Sequence, residues 1–134
     1  MTIQDLNNFS KNSLMETLGI KFTEITDTTI KATMPVDKRT IQPFGYLHGG
    51  AMLALMETLA SAGSVAILND SDKAVFGTNV SANHIKSTRS GTVTGVGTLI
   101  HKGNTMHSWE VNIYNEENVL LSKCIATNLV ISKK

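Results

Sequence analysis

Gln42-Pro43-Phe44-Gly45-Tyr46-Leu47-His48-Gly49-Gly50, followed by an apolar run from Ala51 to Leu68, is the stretch that decides the fold. The run consists mostly of Ala, Leu, Met, Gly and Ser, which are helix formers or small residues, so it predicts one long helix. Glu57 is the only Asp, Glu, Lys or Arg between Arg39 and Asp70. We therefore expect a buried carboxyl with a chemical role. The alternative is a core helix whose glutamate reaches solvent at one edge.

The start of this predicted helix has the properties of an anion site. Gly49 and Gly50 let another group approach the main chain closely, because glycine has no side chain. The first backbone N–H groups of a helix lack internal partners and carry the positive end of its dipole, so they favour a negatively charged oxygen.

Composition limits the class of protein. A chain of 134 residues is long enough for one ordinary domain, which we place over residues 1–134. Hydrophobic residues make up 41% and charged residues 17%, which indicates a globular protein. The net charge is +1 and the cationic residues are scattered. Nucleic acid is therefore excluded as a partner.

Location and redox chemistry follow from three features. The first eight residues lack the basic and apolar segments of a secretory signal. The run from Ala51 to Leu68 is nearly long enough to span a bilayer, but an acid at mid-membrane is costly, so we expect a soluble core helix and no membrane partner. Cys124 is the single cysteine, and its strand-like surroundings favour a buried, inert thiol. These features predict a cytoplasmic protein.

The chain before the long helix predicts a short helical segment and a hairpin. Leu6, Phe9, Leu14 and Leu18 form a loose helical stripe, which predicts one short helix or a separate first turn followed by that helix. Ser13 with Glu16 is expected to form a capping box, and Gly19 to end the helix. From Ile20 the apolar period becomes two, and it continues to Met34 across a turn at Asp27-Thr28.

The chain after the long helix predicts strands separated by polar turns. One long helix followed by long strands indicates an α+β domain in which an antiparallel sheet wraps around the helix. The predicted strands are Ala74–Lys86, Gly91–His101, Thr105–Tyr114 and Val119–Ile131.

Other kinds of site are weakly indicated. His84, His101 and His107 lack metal-binding spacing, so we expect no metal. Gly95-Val96-Gly97 lacks the third glycine and the helix of a dinucleotide-binding motif. Ser64 and Ser61 lack a nucleophile-elbow sequence, so hydroxyls that merely line the helix are the simpler interpretation.

The segment from Gln42 to Gly50, taken together with Glu57, resembles the motif of the hotdog-fold acyl-CoA thioesterases. The similar branch is the one containing the 4-hydroxybenzoyl-CoA and 1,4-dihydroxy-2-naphthoyl-CoA thioesterases. In that branch a helical glutamate follows a His-Gly-Gly element, and the spacing here matches. Asn83-His84-Ile85-Lys86-Ser87 is similar to the family's coenzyme A contact strand, and Lys102-Gly103-Asn104-Thr105 to its phosphate-side turn. The residues that carry the main resemblance are Gln42, Pro43, Phe44, Gly45, His48, Gly49, Gly50 and Glu57.

The resemblance implies a role for each site residue. Glu57 would be the nucleophile or general base, and the Gly49 N–H would bind the oxyanion. Gln42 and His48 would orient the carbonyl, and Ser61 would position the attacking water. No cofactor is expected, because coenzyme A is part of the substrate. The implied coenzyme A contacts are Gly77, His84, Lys86, Ser87, Lys102, Gly103, Asn104 and Thr105.

Spacing predicts that two chains form each site. Gly49 and Glu57 are eight residues apart, which is about 12 Å along a helix, too far for one carbonyl to contact both. We therefore expect a homodimer or homotetramer with shared active sites.

The sequence indicates hydrolysis of an acyl-CoA or acyl-carrier thioester, with an aromatic acyl group favoured. Phe44, Met52 and Met56 are expected to line the acyl pocket or simply to pack in the core. The alternatives are an acyl dehydratase of the same fold and a non-catalytic acyl-CoA-binding module. Release of free thiol from an aryl-CoA would distinguish them.

Overall fold

The computed structural model describes residues 1–133 and shows six strands and three helices in that range. The elements follow the predicted order, and the ends of β3 to β6 lie within two residues of their predicted positions. They are α1 (Ile3–Phe9), α2 (Leu14–Thr17), β1 (Lys21–Ile25), β2 (Thr29–Pro35), α3 (Gly49–Leu68), β3 (Lys73–His84), β4 (Thr92–Lys102), β5 (Met106–Tyr114) and β6 (Leu120–Ser132).

The strands form one antiparallel sheet in the order β1-β2-β4-β5-β6-β3, and the sheet wraps around α3. Its alternating apolar side chains face the helix, as in β2, where every second residue is buried. From α3, Leu55, Met56 and Leu59 are fully buried against the sheet. The prediction of an antiparallel sheet around one long helix is confirmed.

The two caps of α3 define its length, and one close contact with β5 defines its depth on the sheet. His48 is its N-cap, with extended backbone angles, and Asn69 ends it in the left-handed region at φ 45°. At Gly63 the helix lies so close to the sheet that an added Cβ would be 2.6 Å from the Trp109 ring. A larger residue at 63 would push the helix away from β5.

The N-terminal segment differs in detail from its prediction. It forms two short helices, and Gly19 ends the second with φ 75° as expected. The capping box predicted from Ser13 to Glu16 is wrong: the Ser13 hydroxyl donates to the Ser10 carbonyl. A complete capping box is found instead between Thr2 and Asp5 at the start of α1.

Strand β3 lies at one edge of the sheet, and only β6 pairs with it within residues 1–133. Its twelve residues are mostly exposed or half-buried. A long strand with an unpaired edge is a template for pairing with another chain, and proteins normally cover or interrupt such edges. The backbone N–H and C=O groups along the free edge of β3 are therefore available to pair with another chain.

Candidate active site

Glu57 lies on the α3 surface that faces β3. A Cβ added at Gly77 would be 2.7 Å from Glu57 Oε1, so the missing side chain at Gly77 makes room for the carboxylate. The expectation that Glu57 is buried is wrong for the single chain, where the residue is exposed. Its apolar sequence neighbours lie on other faces of the helix, and the adjacent strand is the free edge of the sheet. The carboxylate has no hydrogen bond or ion pair to another described residue.

The first turn of α3 presents backbone donors. His48 Nδ1 accepts a hydrogen bond from the Gly50 N–H at 2.7 Å, so a neutral His48 ring carries its proton on Nε2. The Gly49 N–H has no hydrogen-bond partner within residues 1–133. It is therefore the donor of this turn that remains available to an incoming oxygen.

His84, near the end of β3, lies beside this helix start. A Cβ at Gly49 would be 2.9 Å from His84 Nε2. The other ring nitrogen, Nδ1, is 2.7 Å from the Ser122 hydroxyl, which donates its own hydrogen to the Asn83 carbonyl. Since a hydroxyl has one hydrogen, His84 Nδ1 must be the donor to Ser122. A neutral His84 therefore carries its free lone pair on Nε2, and the Nε2–Cδ2 edge of the ring lies beside Gly49.

The loop before α3 is held by its own hydrogen bonds. Gln42 Oε1 accepts from the Phe44 N–H, and Gly45 occupies φ 90° in the turn. Phe44 is 79% exposed, so it does not line a pocket in this chain. Met52 and Met56 are almost completely buried in the core. Of the two roles predicted for them, core packing is the one seen in this chain.

A groove of about 820 Å³ opens between the N-terminal helices, α3 and the first residues of β3. Glu57 and Ser61, one turn apart on α3, line it. Its opposite wall is apolar and includes Phe9 and Leu14, which are 77% and 63% exposed. The structure thus brings Glu57 and Ser61 to one cleft of a size suited to a small organic group.

The residues expected to contact coenzyme A form two separate groups. Lys86 and Ser87 are exposed just beyond β3, near the first residues of β6. The turn from Lys102 to Thr105 joins β4 to β5, where the Thr105 carbonyl accepts from the Val130 N–H. These groups lie at opposite ends of the sheet. One protomer does not bring them together.

Sequence reasoning missed several polar residues near the site. Arg89 lies over the Tyr46 ring at 4.7 Å, which joins the loop after β3 to the loop before α3. The two cations of the segment from Lys86 to Arg89 were a signal for it. Ser122 and Asn128 gave no such signal, because both lie in β6, a strand with several other polar residues and no motif around either one.

Two structural features bear on other chemistries. Residues 1–133 contain no group of three or more His, Cys, Asp or Glu side chains arranged to hold a metal ion. Cys124 is buried, and burial raises the pKa of its thiol to about 11. The thiol is therefore protonated at neutral pH and unsuited to nucleophilic attack, as expected.

The thioesterase superfamily model matches residues 44–122, which include the His-Gly-Gly turn, Glu57 and Gly77. The chain belongs to the thioesterase superfamily. It is 45% identical over 117 residues to the proofreading thioesterase EntH of Cronobacter turicensis, with 87% of this chain and 85% of that protein aligned. It is 38% identical over 133 residues to the 1,4-dihydroxy-2-naphthoyl-CoA hydrolase of Escherichia coli, covering 98% and 96% of the two chains.

Solved structures agree with the family assignment. A crystal structure of a thioesterase from Haemophilus influenzae superposes with a TM-score of 0.94 at 41% identity, covering 98% of this chain and 92% of that one. The predicted hotdog fold and thioester-hydrolase activity are confirmed. Among the helices of residues 1–133, α3 is long and apolar enough to cross a membrane by length and composition. It packs against five strands of the sheet and forms the core helix of the domain.

Proposed function

We propose that this thioesterase hydrolyses an aromatic acyl-CoA in an active site shared by two copies of the chain. Glu57 of one subunit acts as nucleophile or general base, and the Gly49 N–H of the partner subunit binds the oxyanion. The observation that carries the proposal is the arrangement along β3: Glu57 lies against Gly77, and Gly49 lies against His84.

The ladder between β3 and β6 gives the geometry of pairing. Gly77 is opposite Asn128 and His84 is opposite Ser122, so the two β3 residues are six ladder positions apart, with a bulge at Thr78. Their midpoint is Ser81, opposite Ile125. Antiparallel pairing of two β3 strands about a twofold axis at Ser81 places Gly77 beside the partner's His84. Glu57 then lies beside the partner's Gly49, on the same face of the joined sheet.

The same twofold axis unites the two groups of coenzyme A residues. Continuing the pairing past His84 places the partner's Lys86 opposite Val75. Val75 is paired with Val130, which bonds to Thr105 in the turn between β4 and β5. Lys86 of one subunit and the Lys102–Thr105 turn of the other would therefore flank one site. A pair of cations there suits the phosphates of coenzyme A.

The proposed chemistry follows from these positions. Glu57 either attacks the thioester carbonyl carbon or removes a proton from the attacking water, and Ser61 lies one turn away to hold that water. The carbonyl oxygen becomes negative as the tetrahedral intermediate forms, and the Gly49 N–H at the helix start stabilises it. If Glu57 attacks directly, breaking the C–S bond releases coenzyme A and leaves an acyl–Glu57 anhydride, which water then hydrolyses to the free acid. If Glu57 acts as general base, it takes a proton from the attacking water and passes it to the leaving thiolate, so the acid and the coenzyme A thiol form together. Water is the only other reactant, so no cofactor is required.

The groove beside Glu57 supports an aromatic acyl group. Its walls are mainly apolar, and Asn69, Asp70 and Ser71 supply polar groups at its rim. This combination suits an aromatic ring that carries hydroxyl groups, and one relative bears the name of such a substrate. A thiol-release assay across hydroxyaryl, short alkyl and long alkyl CoA thioesters, and a carrier-bound aryl thioester, tests this preference. A cytoplasmic location stays a prediction.

Mixed dimers test the shared site. Gly49→Pro removes the N–H donor at the first helical position, and the extended His48 angles, φ −69° and ψ 132°, suit a residue before proline. The ring also crowds His84, which belongs to the same half-site. We would co-express differently tagged Glu57→Ala and Gly49→Pro chains and isolate the heterodimer.

The heterodimer has one intact site and one doubly damaged site. We expect about half of the wild-type activity per dimer, with both homodimers nearly inactive. Circular dichroism and size-exclusion chromatography check that each species is folded and dimeric. A folded heterodimer as inactive as its parents would show that both groups act within one chain.

A further inference from the structure

A buried polar cluster joins α3 to the sheet about two helical turns after Glu57. Its members are Ser64, His107, Trp109 and Asn128, each at most 1% exposed. Ser64 Oγ is 2.8 Å from His107 Nδ1, 2.8 Å from Trp109 Nε1 and 3.1 Å from Asn128 Nδ2. Asn128 Nδ2 also donates to the Ala60 carbonyl at 3.0 Å. One hydroxyl on α3 therefore meets three side chains from β5 and β6.

Counting hydrogens fixes the direction of every bond. The indole of Trp109 can only donate, and the Asn128 group facing the Ala60 carbonyl must be the NH₂. These two donors fill both lone pairs of Ser64 Oγ. The Ser64 hydrogen must then go to His107 Nδ1, so His107 is neutral with its proton on Nε2.

The electrostatic surroundings of His107 agree with the neutral ring. Burial, followed by the positive charges of Lys102 and His101 on β4, lowers the pKa of His107. The groups that contact it from α3 and β6, Ser64 and Asn128, are uncharged. Protonation would place a hydrogen on Nδ1, which faces an oxygen whose lone pairs are already occupied.

His107 does not have the properties of a residue that only stabilises the core. Its Nε2 is buried and has no hydrogen-bond partner within residues 1–133. A buried donor without a partner opposes folding, and an apolar side chain of similar size would avoid that cost. What His107 supplies is an acceptor at Nδ1 that fixes the Ser64 hydroxyl in one direction.

The cluster and the contact between Glu57 and Gly77 lie on the same row of paired strand residues. His107, Asn128 and Gly77 are neighbours in one row across β5, β6 and β3. The helix residues bonded to this row, Ala60 and Ser64, bound the turn that follows Glu57 and contains Ser61. Because no other described residue bonds to the Glu57 carboxylate, the placement of α3 on this row sets its position.

We propose that Ser64, His107 and Asn128 are positioning residues for thioester hydrolysis: their hydrogen bonds fix the rotation and axial position of α3, which holds Glu57 over Gly77. This role rests on the proposed function of Glu57. Small displacements of a reacting group reduce rate strongly. Loss of the cluster therefore lowers kcat, while the exposed residues that bind coenzyme A, and so KM, are unaffected.

The experiment compares Ser64→Ala, Asn128→Ala, His107→Leu and His107→Asn with Val111→Ala, using an aryl-CoA thiol-release assay far below each melting temperature. Val111 is fully buried on the same strand as His107, so its truncation destabilises the core without touching the cluster. We expect about a tenfold or larger fall in kcat for the first three variants, with KM within about twofold of wild type. His107→Asn, whose carbonyl can accept from Ser64, should retain most activity. Val111→Ala should lose melting temperature but keep kcat.

Each variant is also measured in a Glu57→Gln background. A positioning role acts through the carboxylate, so Ser64→Ala should have little further effect once Glu57 is replaced. Unchanged kcat in Ser64→Ala and Asn128→Ala, or an equal loss in the Glu57→Gln background, would overturn the proposal. If Ser64→Ala does not fold, Asn128→Ala and the two His107 variants decide it. Full activity of Glu57→Gln alone would instead refute the proposed function.

Discussion

Gly77 and Glu57 are in direct contact across the space between β3 and α3: a Cβ on Gly77 would lie 2.7 Å from Glu57 Oε1. Gly77 has no need of a left-handed backbone angle, so the requirement for glycine here is one of space. The contact joins α3, which carries Glu57, to the edge strand β3. It therefore couples the position of the carboxylate to the surface proposed to bind the second subunit.

Replacing Gly77 by alanine should displace the carboxylate with little effect on folding. The obstructing atom is the end of a flexible side chain, which can turn away, so we expect the melting temperature to change by only a few degrees. Activity should fall about tenfold or more, mainly in kcat, because Glu57 leaves its reacting position. Steady-state kinetics and scanning calorimetry measure both. Ser81→Ala, on the outward face of the same strand, is the control and should be almost fully active. Equal activity of Gly77→Ala and wild type would show that this contact does not set catalysis.

The proposed twofold axis predicts a specific cross-link. Directly opposed residues in an antiparallel pair have Cα atoms about 4.5–5.5 Å apart, within the range for a disulfide. Ser81→Cys should therefore form an interchain disulfide under mild oxidation, visible on a non-reducing gel.

Asn83→Cys is the matched control: two copies of Asn83 would be about 13 Å apart in this register, too far to join. Native Cys124 is buried and should not react. Cross-linking of Asn83→Cys in preference to Ser81→Cys would disprove the register.

Lys86 and Lys102, which are proposed to bind the coenzyme A phosphates, should affect substrate binding rather than the chemical step. We expect Lys86→Ala and Lys102→Ala each to raise KM for an acyl-CoA several-fold and to leave kcat within about twofold, because a remote charge binds ground state and transition state alike. Neither change should matter for a truncated acyl-pantetheine substrate. Lys21→Ala, at the opposite edge of the sheet, serves as the control. A similar rise in KM for both substrates would show that these lysines do not contact the nucleotide.

The neutral state of His107 predicts a pH dependence of stability. Its pKa is lowered in the folded protein, so as pH falls below the ordinary value of about 6.5 the unfolded chain takes up the proton first. The contribution of His107 to the free energy of unfolding is therefore complete above that pH and declines as pH falls toward the folded pKa. We expect the melting temperature of wild type to fall more steeply than that of His107→Asn between about pH 7 and pH 5. Parallel curves for the two proteins would contradict a buried neutral ring.

The local elements were predictable because each depends on a pattern within one segment. The uninterrupted apolar run after His48-Gly49-Gly50 predicted α3, and the period-two alternation of β2 predicted a strand with one buried face. The isolation of Glu57 in that run, and its separation from Gly49, predicted a site that one helix could not complete. These inferences required only the repeat of a helix or strand and the chemistry of single side chains.

The tertiary structure alone decided which distant residues meet. Most sequence neighbours of Glu57 are apolar, and the expectation of a buried carboxylate came from them. The helical period turns those neighbours to other faces, and the carboxylate lies over Gly77 at the open edge of the sheet. Ser64 was predicted only as a hydroxyl that lines the helix, and nothing in the sequence linked it to Asn128, which is 64 positions away. Their bond depends on the order β5-β6-β3 and on the depth at which Gly63 lets α3 pack.

The sequence by itself thus determined the helix, the strands and the isolated acid through local periodicity. Strand order and close packing between distant segments decided where that acid points and what holds it there.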